Sequence, residues 1–211
     1  MNYYFSYQMI ESKFLFILAA FLFLSACSDK QPGLPALSAN AVILAYGDSI
    51  TAGNGAPPAQ NYPSLLAEKL QRTVINAGVP GEISANGLKR LPALLDKHQP
   101  ALLLLCHGGN DMIRKLGKNE LAKNLRAMID EAISRDISVV LIGVPKPGIF
   151  LESLNIYNQI AGEYNLPVER EVVPKVLADN ALKSDLIHPN ARGYAMMADS
   201  IFLLLKKNGA I

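Results

Sequence analysis

Residues 41–51 read AVILAYGDSIT, a continuous apolar run that ends in Gly47, Asp48 and Ser49. The run does not alternate apolar and polar residues, which is typical of a parallel strand covered on both faces. Longer amphipathic stretches separate it from further apolar runs of the same kind, and this rhythm predicts repeated β-α-β units. The strand candidates, of which the last is the weakest, are residues 41–46, 73–76, 101–106, 138–144 and 166–168.

Apolar residues at helical spacing predict helices between these strands. The clearest candidate is residues 119–134, where the stripe recurs at i, i+4, i+7 and i+8 and Asn119 suits the N-cap. Residues 191–207 carry a similar stripe, and Pro189 suits the first turn of that helix.

Two further helix candidates complete the pattern. Residues 62–71 show the same periodicity, whereas Pro92 in residues 84–98 predicts either a kink or a shorter helix that begins at the proline. Right-handed crossovers between such units give an open, mostly parallel sheet with helices on both faces. The sequence therefore predicts a three-layer α/β/α domain.

Composition and charge bound the class of protein. The chain has 211 residues, 50% hydrophobic and 18% charged, which suits one well-buried domain. Its formal net charge is +2 and no stretch clusters four or more Lys or Arg, so nucleic acid is excluded as a partner. The two cysteines are too few for a disulfide scaffold and lack ligand spacing, so no structural zinc site is expected.

An apolar run, FLFILAAFLFLSA, occupies residues 14–26 directly after Lys13. It is shorter than the roughly 20 residues needed to span a bilayer, but it fits the core of a signal peptide. The run ends in Leu-Ser-Ala before Cys27, which resembles the bacterial lipobox and predicts lipidation of Cys27. An ordinary cleaved signal peptide and an uncleaved anchor are the alternatives. The sequence allows either Met1 or Met9 as the start.

The chain is thereby divided into three parts. Residues 1–26 are the predicted lipoprotein signal peptide, residues 27–40 the lipidated N-terminus and tether, and residues 41–211 the folded domain. Ser28 follows the cysteine, which in the resembled lipoproteins accompanies export to the outer membrane. The predicted location is the bacterial cell envelope, lipid-anchored and facing the periplasm or the surface.

Ligands of open parallel sheets bind beyond the carboxyl ends of the strands, so the residues that follow each apolar run are informative. These residues offer a hydroxyl, a bare backbone amide, a carboxamide, and a carboxylate with an imidazole, which is the set of groups a serine acyl hydrolase uses. The four segments are GDS at 47–49, NAGVPG at 76–81, HGGND at 107–111 and DLIHP at 185–189.

Each group has a predicted role. Ser49 is the candidate nucleophile, because its hydroxyl becomes reactive when a neighbouring base takes its proton. His188 is the candidate base, and Asp185, three residues earlier, is placed to orient the imidazole. The backbone N–H groups of Ser49 and Gly78 and the side-chain amide of Asn110 are the predicted oxyanion donors.

Each segment taken alone has a simpler interpretation. A GDS sequence after a strand is commonly a turn and helix cap, and His188 alone reads as a surface histidine. Asp48 and Asp111 are interpreted as shaping their loops. His107 is interpreted as a packed histidine and Cys106 as a small buried apolar residue, with a competing thiol nucleophile as the alternative.

The order of Ser49, Gly78, Asn110 and His188 resembles the SGNH subgroup of the GDSL esterase/lipase family, in its bacterial arylesterase, thioesterase and lysophospholipase branch. The resemblance extends over nearly the whole chain after the tether, to HPNARGY at 188–194. It implies a flavodoxin-like fold, a Ser-His-Asp triad and no metal or organic cofactor. It also implies small ester, thioester or lysophospholipid substrates.

The sequence leaves the substrate open. Segments 51–61 and 145–150 are predicted to form the rim of the acyl pocket. An apolar trench would favour acyl esters, whereas a polar cleft with stacking aromatic residues would favour O-acetyl groups on envelope glycans. A binding lipoprotein without catalysis is the third hypothesis, which the complete set of candidate groups disfavours. Two departures from the family pattern, Ile50 for leucine and Pro80 for serine, remove no catalytic group.

Overall fold

The structure is a computed structural model, and it describes residues 33–146, 148 and 152–211 of the chain. The predicted signal peptide and Cys27 lie outside these residues. The described part contains one sheet of five parallel strands in the order β2-β1-β3-β4-β5. The strands are β1 Val42–Gly47, β2 Thr73–Gly78, β3 Leu102–Cys106, β4 Ser138–Ile142 and β5 Val168–Glu169.

This strand order is that of flavodoxin-like domains, so the predicted fold class is confirmed. The central strands β1 and β3 are almost completely buried, which explains why their sequences are apolar without alternation. Gly47 pairs with Gly78 on one side and with Cys106 on the other. The carboxyl ends of β1, β2 and β3 therefore lie level at one edge of the sheet.

Helices cover both faces of the sheet. The helices are α1 Ser49–Ala52, α2 Tyr62–Leu70, α3 Ser84–His98, α4 Gly109–Ile113, α5 Lys118–Ile133, α6 Asn155–Tyr164, α7 Val172–Ala178 and α8 Ala191–Lys207. On one face α2 and α7 pack against α8, and on the other α5 packs against α3 and α6. Within the described part of the chain, no helix has the length and apolar character that crossing a membrane requires.

Two details of the helix predictions are wrong. Helix α5 begins one residue before Asn119, and Gly117, with φ of +96°, takes the N-cap position without a side-chain bond. Pro189 lies outside α8, because the Asn190 side chain caps that helix by accepting two backbone N–H bonds. Helix α3 runs through Pro92 without being shortened.

Four tyrosines with fully buried side chains connect the helical layers to the site end of the sheet. The Tyr157 hydroxyl donates to the carbonyl of His107 at 2.7 Å, and the Tyr194 hydroxyl donates to the carbonyl of Asn54 at 2.8 Å. Burial raises the pKa of both hydroxyls well above the ordinary value, so they remain donors. The loops after β3 and α1 are thereby fixed to the core. The other two of the four fully buried tyrosines are Tyr46 and Tyr62.

Part of the predicted tether packs against the domain. The backbone N–H of Leu34 donates to the carbonyl of Asn208 at 2.8 Å, and that of Leu37 donates to Ala210 at 2.8 Å. Both leucines also contact the hydrophobic core. The packed region therefore includes residues that precede Ala41, the predicted start of the domain.

Candidate active site

Ser49, His188 and Asp185 form a continuous chain of hydrogen bonds at the carboxyl edge of the sheet. Ser49 is the first residue of α1, and its Oγ lies 3.0 Å from Nε2 of His188. Nδ1 of His188 lies 2.7 Å from Oδ2 of Asp185. With the neutral imidazole protonated on Nδ1, the serine hydroxyl donates to Nε2 and Nδ1–H donates to the carboxylate. The imidazole is thus positioned to accept the serine proton.

The Asp185-to-His188 turn holds this pair by its own backbone. Oδ1 of Asp185 accepts the N–H groups of Ile187 at 2.8 Å and His188 at 2.9 Å, and Ser184 N–H closes the loop on the His188 carbonyl. Burial acts to raise the pKa of Asp185, but the hydrogen bond from His188 and the two amides outweigh it and lower the pKa. Asp185 is therefore a carboxylate at neutral pH.

Asp48 and Asp111 hold backbone at the two flanking loops. Oδ1 of Asp48 accepts the N–H of Ile50 at 3.1 Å and caps α1. Asp111 accepts both the N–H and the hydroxyl of Ser84 at the start of α3. Burial raises the pKa of Asp48, against the opposing influence of nearby histidines. Both contacts agree with the interpretation that these carboxylates shape their loops.

Asn110, which follows β3, contacts both the loop after β1 and the loop after β2. Its Nδ2 donates to the carbonyl of Glu82 at 3.1 Å and, at 3.3 Å, to Oδ2 of Asp48. The bond to Asp48 is the longer one, and a substrate oxygen can replace it. Within the described residues the backbone N–H of Ser49 has no hydrogen-bond partner, as expected for the first residue of a helix.

Gly78 does not take the predicted position. Its N–H donates to Oδ1 of Asn76 at 3.0 Å, so this donor already has a partner. A Cβ on Gly78 would lie 2.1 Å from the backbone nitrogen of Ala52, so the glycine lets β2 pack directly against α1. The predicted oxyanion role of Gly78 is therefore corrected to a packing role.

Gly81, three residues further on, directly precedes Glu82, whose carbonyl accepts the Asn110 side chain. The N–H of Glu82 donates to the carbonyl of Val79 across a turn with Pro80 and Gly81 at its centre, and φ of Gly81 is +75°. Pro-Gly at these positions is the signal of a type II turn. Among the described residues the Gly81 amide has no partner, while the next carbonyl accepts Asn110.

A buried ion pair supports this loop from behind. The Glu82 carboxylate accepts Nε and Nη2 of Arg90, each at 2.7 Å, and lies 3.2 Å from Nε2 of His107. Burial acts to raise the pKa of Glu82, but the hydrogen bonds from His107 and Arg90 lower it to about 2. Arg90 also donates to the carbonyl of Ala77 in β2 at 2.8 Å.

The remaining candidates have structural positions. The His107 side chain is fully buried against Glu82, and its Nδ1 has no partner among the described residues. Cys106 is fully buried, and burial raises the pKa of its thiol far above neutral, so no thiolate forms there. These positions agree with a packed histidine and an apolar cysteine.

A cavity of about 360 Å³ opens beside Ser49. Pro145 and Gly148 of the predicted rim line it, whereas none of residues 51–61 does, so that half of the rim prediction is wrong. In that segment, the carbonyl of Asn54 accepts the Tyr194 hydroxyl, and this hydrogen bond supports α1. No aromatic residue of the described chain lines the cavity. The apolar lining that the sequence did not predict is Ile113, Leu177, Leu186 and Ile187, beside Ile50 and Val144.

A serine hydrogen-bonded to a histidine that a carboxylate orients, at the carboxyl edge of a flavodoxin-like sheet, defines a serine hydrolase of the α/β/α class. Residues 45–196 match the model of the GDSL-like Lipase/Acylhydrolase family, and the chain belongs to that family. Among the described residues no group of His, Cys, Asp and Glu side chains is arranged to hold a metal ion.

Curated relatives and solved structures agree with this membership. Esterase TesA of Pseudomonas aeruginosa is 30% identical over 78% of this chain and 87% of its own length. The thioesterase 1/protease 1/lysophospholipase L1 of Escherichia coli is 32% identical over 74% and 79%. A crystal structure of TesA superposes with a TM-score of 0.70 at 28% identity, covering 79% of this chain and 99% of the other. The chain is therefore a serine ester hydrolase.

Proposed function

We propose that the enzyme cleaves acyl esters through an acyl-enzyme on Ser49. As Oγ attacks the substrate carbonyl, Nε2 of His188 takes the hydroxyl proton and then gives it to the departing alcohol. A water molecule then gives a proton to His188 and attacks the acyl-enzyme. The carboxylic acid is released as Ser49 takes that proton back. Asp185 holds the imidazole orientation and stabilises the imidazolium. The observation that carries this mechanism is the unbroken chain of hydrogen bonds from Ser49 to Asp185.

The oxyanion donors we propose are the backbone N–H of Ser49, the side chain of Asn110 and the backbone N–H of Gly81. The backbone N–H groups of Ser49 and Gly81 have no partner among the described residues. The Asn110 amide would give up its 3.3 Å hydrogen bond to Asp48 and donate to the substrate oxygen instead. Each such donor typically contributes about 3 kcal/mol of transition-state stabilisation. Gly81 takes the part that the sequence prediction gave to Gly78.

The lining of the cavity favours an acyl chain over a glycan. Its volume of about 360 Å³ and its apolar walls suit one aliphatic chain, whereas sugar rings are usually held by aromatic stacking and several polar groups. The names of the relatives, which include an esterase and a thioesterase/lysophospholipase, support the same substrate class. We propose medium-length carboxylic esters as substrates, with thioesters and lysophospholipids as related ones.

Chain-length preference tests this substrate class. Across p-nitrophenyl acetate, butyrate and octanoate, kcat/KM is expected to rise by about tenfold or more, because each buried methylene contributes about 0.8 kcal/mol. Initial rates for the three esters measure the trend. Best activity on the acetate, together with release of acetate from an acetylated glycan, would favour the glycan esterase instead.

Ile113 offers a matched pair of variants for the same question. Ile113 lines the cavity and Ile133 lies at the far end of α5, and both side chains are 45% exposed. Ile113→Asn is expected to lower kcat/KM for the octanoate severalfold while leaving the acetate unchanged, and Ile133→Asn is expected to change neither. Equal losses on both esters would contradict an acyl pocket beside Ile113.

We also propose that the chain is anchored in the bacterial envelope by lipid on Cys27. The support is the apolar run before Cys27 and the resemblance of its last four residues to the lipobox. Acyl chains contribute about 0.8 kcal/mol per buried methylene, so several chains hold a protein on a membrane firmly.

Metabolic labelling with palmitate tests the anchor. Cys27→Ser in the full chain is expected to abolish labelling, whereas Cys106→Ala, which removes the other cysteine, is expected to keep it. An unlabelled wild-type chain, or label that persists in Cys27→Ser, would rule out lipidation at Cys27.

A further inference from the structure

Large exposed apolar side chains are concentrated at the carboxyl edge of the sheet. Seven are exposed among the described residues, and only Ile133 and Leu203 lie away from this edge. Three of the other five line the cavity beside Ser49, and the remaining two lie in the loops that follow β2 and α4. Patches of this kind mark interaction surfaces on soluble domains. The five, which we call the apolar rim, are Val79, Ile113, Leu116, Leu186 and Ile187.

Leu186 is the most exposed member of the apolar rim, at 85%. It lies between Asp185 and His188 in a loop closed by the pairing of Lys183 with Pro189. The backbone here is fixed by the hydrogen bonds that hold the catalytic pair, so Leu186 cannot fold back into the core without disturbing them. The loop therefore presents a leucine to solvent in a fixed position.

Basic residues adjoin the apolar rim. The loop at 113–118 contains Arg114, Lys115 and Lys118 with no acidic residue, and all six of its residues are exposed. Within the described chain none of the three basic side chains forms an ion pair. Glu120, in the first turn of α5, is the nearest exposed carboxylate along the sequence.

Most carboxylates near this loop are withdrawn from solvent: Asp48 and Asp111 are buried, and Glu82 is buried against Arg90. Asp185, which hydrogen-bonds to His188, is the half-exposed carboxylate beside Leu186. Lys183 adds a further cation at the wall of the cavity. The loop at 113–118 and Lys183 therefore place positive charge beside the exposed apolar side chains, which is the pattern of proteins that insert side chains into an anionic membrane surface.

We propose that the apolar rim and the basic loop at 113–118 dock on an anionic phospholipid surface with the cavity entrance facing the lipid. The apolar side chains enter the headgroup region, and Arg114, Lys115 and Lys118 contact lipid phosphates. This inference rests on the proposed function and adds a route for the substrate. The acyl substrate enters the cavity directly from the bilayer, without passing through water. It assigns the orientation of the domain on the membrane, whichever anchor holds the chain there.

Tryptophan fluorescence tests this orientation in the full chain, because the protein contains no Trp. Leu186→Trp and Leu116→Trp place a single reporter on the rim, and Leu203→Trp is the control. Leu203 is 63% exposed and lies twelve residues after Ala191 in α8, about 18 Å along the helix from the site end. Each variant is placed in phosphatidylcholine vesicles, with or without phosphatidylglycerol, that carry brominated acyl chains.

In vesicles with phosphatidylglycerol, both rim reporters are expected to shift to the blue and lose emission to the brominated chains, and Leu203→Trp is expected to do neither. Lys115→Glu with Lys118→Glu is expected to abolish the quenching, as is high salt, whereas Lys206→Glu with Lys207→Glu is not. Equal quenching at positions 186 and 203, or none at 186 and 116, would overturn the proposed orientation.

Hydrolysis of soluble p-nitrophenyl acetate separates this inference from the proposed function. The Lys115→Glu, Lys118→Glu variant is expected to keep that activity and to lose activity on lysophospholipid held in anionic vesicles. Loss of quenching without any change in lysophospholipid hydrolysis would reject delivery from the bilayer. Wild type that is inactive on every soluble ester would reject the proposed function, independently of where the reporters lie.

Discussion

Replacing Ser49 by alanine is expected to lower kcat/KM for p-nitrophenyl esters by about 10⁴-fold or more, because no other group takes the place of its Oγ. The Oγ is the atom within 3.0 Å of Nε2 of His188. Initial rates measure the loss, and thermal unfolding is expected to show a variant as stable as wild type. A residual activity above about 1% would show that another residue is the nucleophile. Cys106 is not a candidate, because its thiol is fully buried and burial raises its pKa.

Ser64→Ala is the matched control for this substitution. The Ser64 hydroxyl lies at the start of α2 and donates to the carbonyl of Pro58 at 3.0 Å, so its loss is expected to leave the rate unchanged. His188→Ala adds a second check, because Ser49 and His188 act as one unit. The double variant is expected to be no slower than either single variant, and additive losses would contradict a shared proton transfer.

The sequence predicted the four longer strands and the residues that carry the chemistry because both are local patterns. A buried parallel strand is continuously apolar, and chemical groups in such folds follow the strand ends. The segments after β1 and β3 and before α8 could therefore be found without coordinates. The weak strand candidate at 166–168 overlaps β5, which has only two residues, Val168–Glu169. Helices α6 and α7 were not predicted, and α7 carries Pro174 in its first turn.

The choice between Gly78 and Gly81 could not be made from the residues alone. Gly78 ends β2 and Gly81 lies in the loop that follows, and only packing against Ala52 shows that Gly78 is needed for close approach of the backbone. The Pro80-Gly81 dipeptide was the available signal, because it predicts a turn with positive φ at the glycine. A turn alone does not say which amide is free.

The cavity wall was missed for a different reason. Ile113, Leu177 and Leu186 come from three separate segments, and no periodicity connects them. Their meeting depends on how the loops fold over one edge of the sheet. The pairing of Glu82 with Arg90 and His107 was likewise invisible, since eight and twenty-five positions separate these residues and no spacing rule links them.

Glu82→Gln is expected to lower the free energy of unfolding by about 3 kcal/mol at pH 7. The substitution leaves Arg90 without its buried partner and removes the acceptor beside His107. Because the folded-state pKa is lowered from 4.5 to about 2, the Glu82 carboxylate stabilises the protein above pH 4.5. That stabilisation is lost as the pH falls through the folded-state pKa.

Urea unfolding of wild type and Glu82→Gln at pH 7 and pH 3 measures this linkage. The difference in unfolding free energy is expected to fall to less than half between the two pH values, because the wild-type carboxylate takes up a proton on unfolding at pH 3. Glu163→Gln breaks an exposed ion pair with Arg126 and is expected to change stability little at either pH. A Glu82→Gln difference that stays constant from pH 7 to pH 3 would show that packing, and not the charge of Glu82, stabilises the loop that holds Asn110.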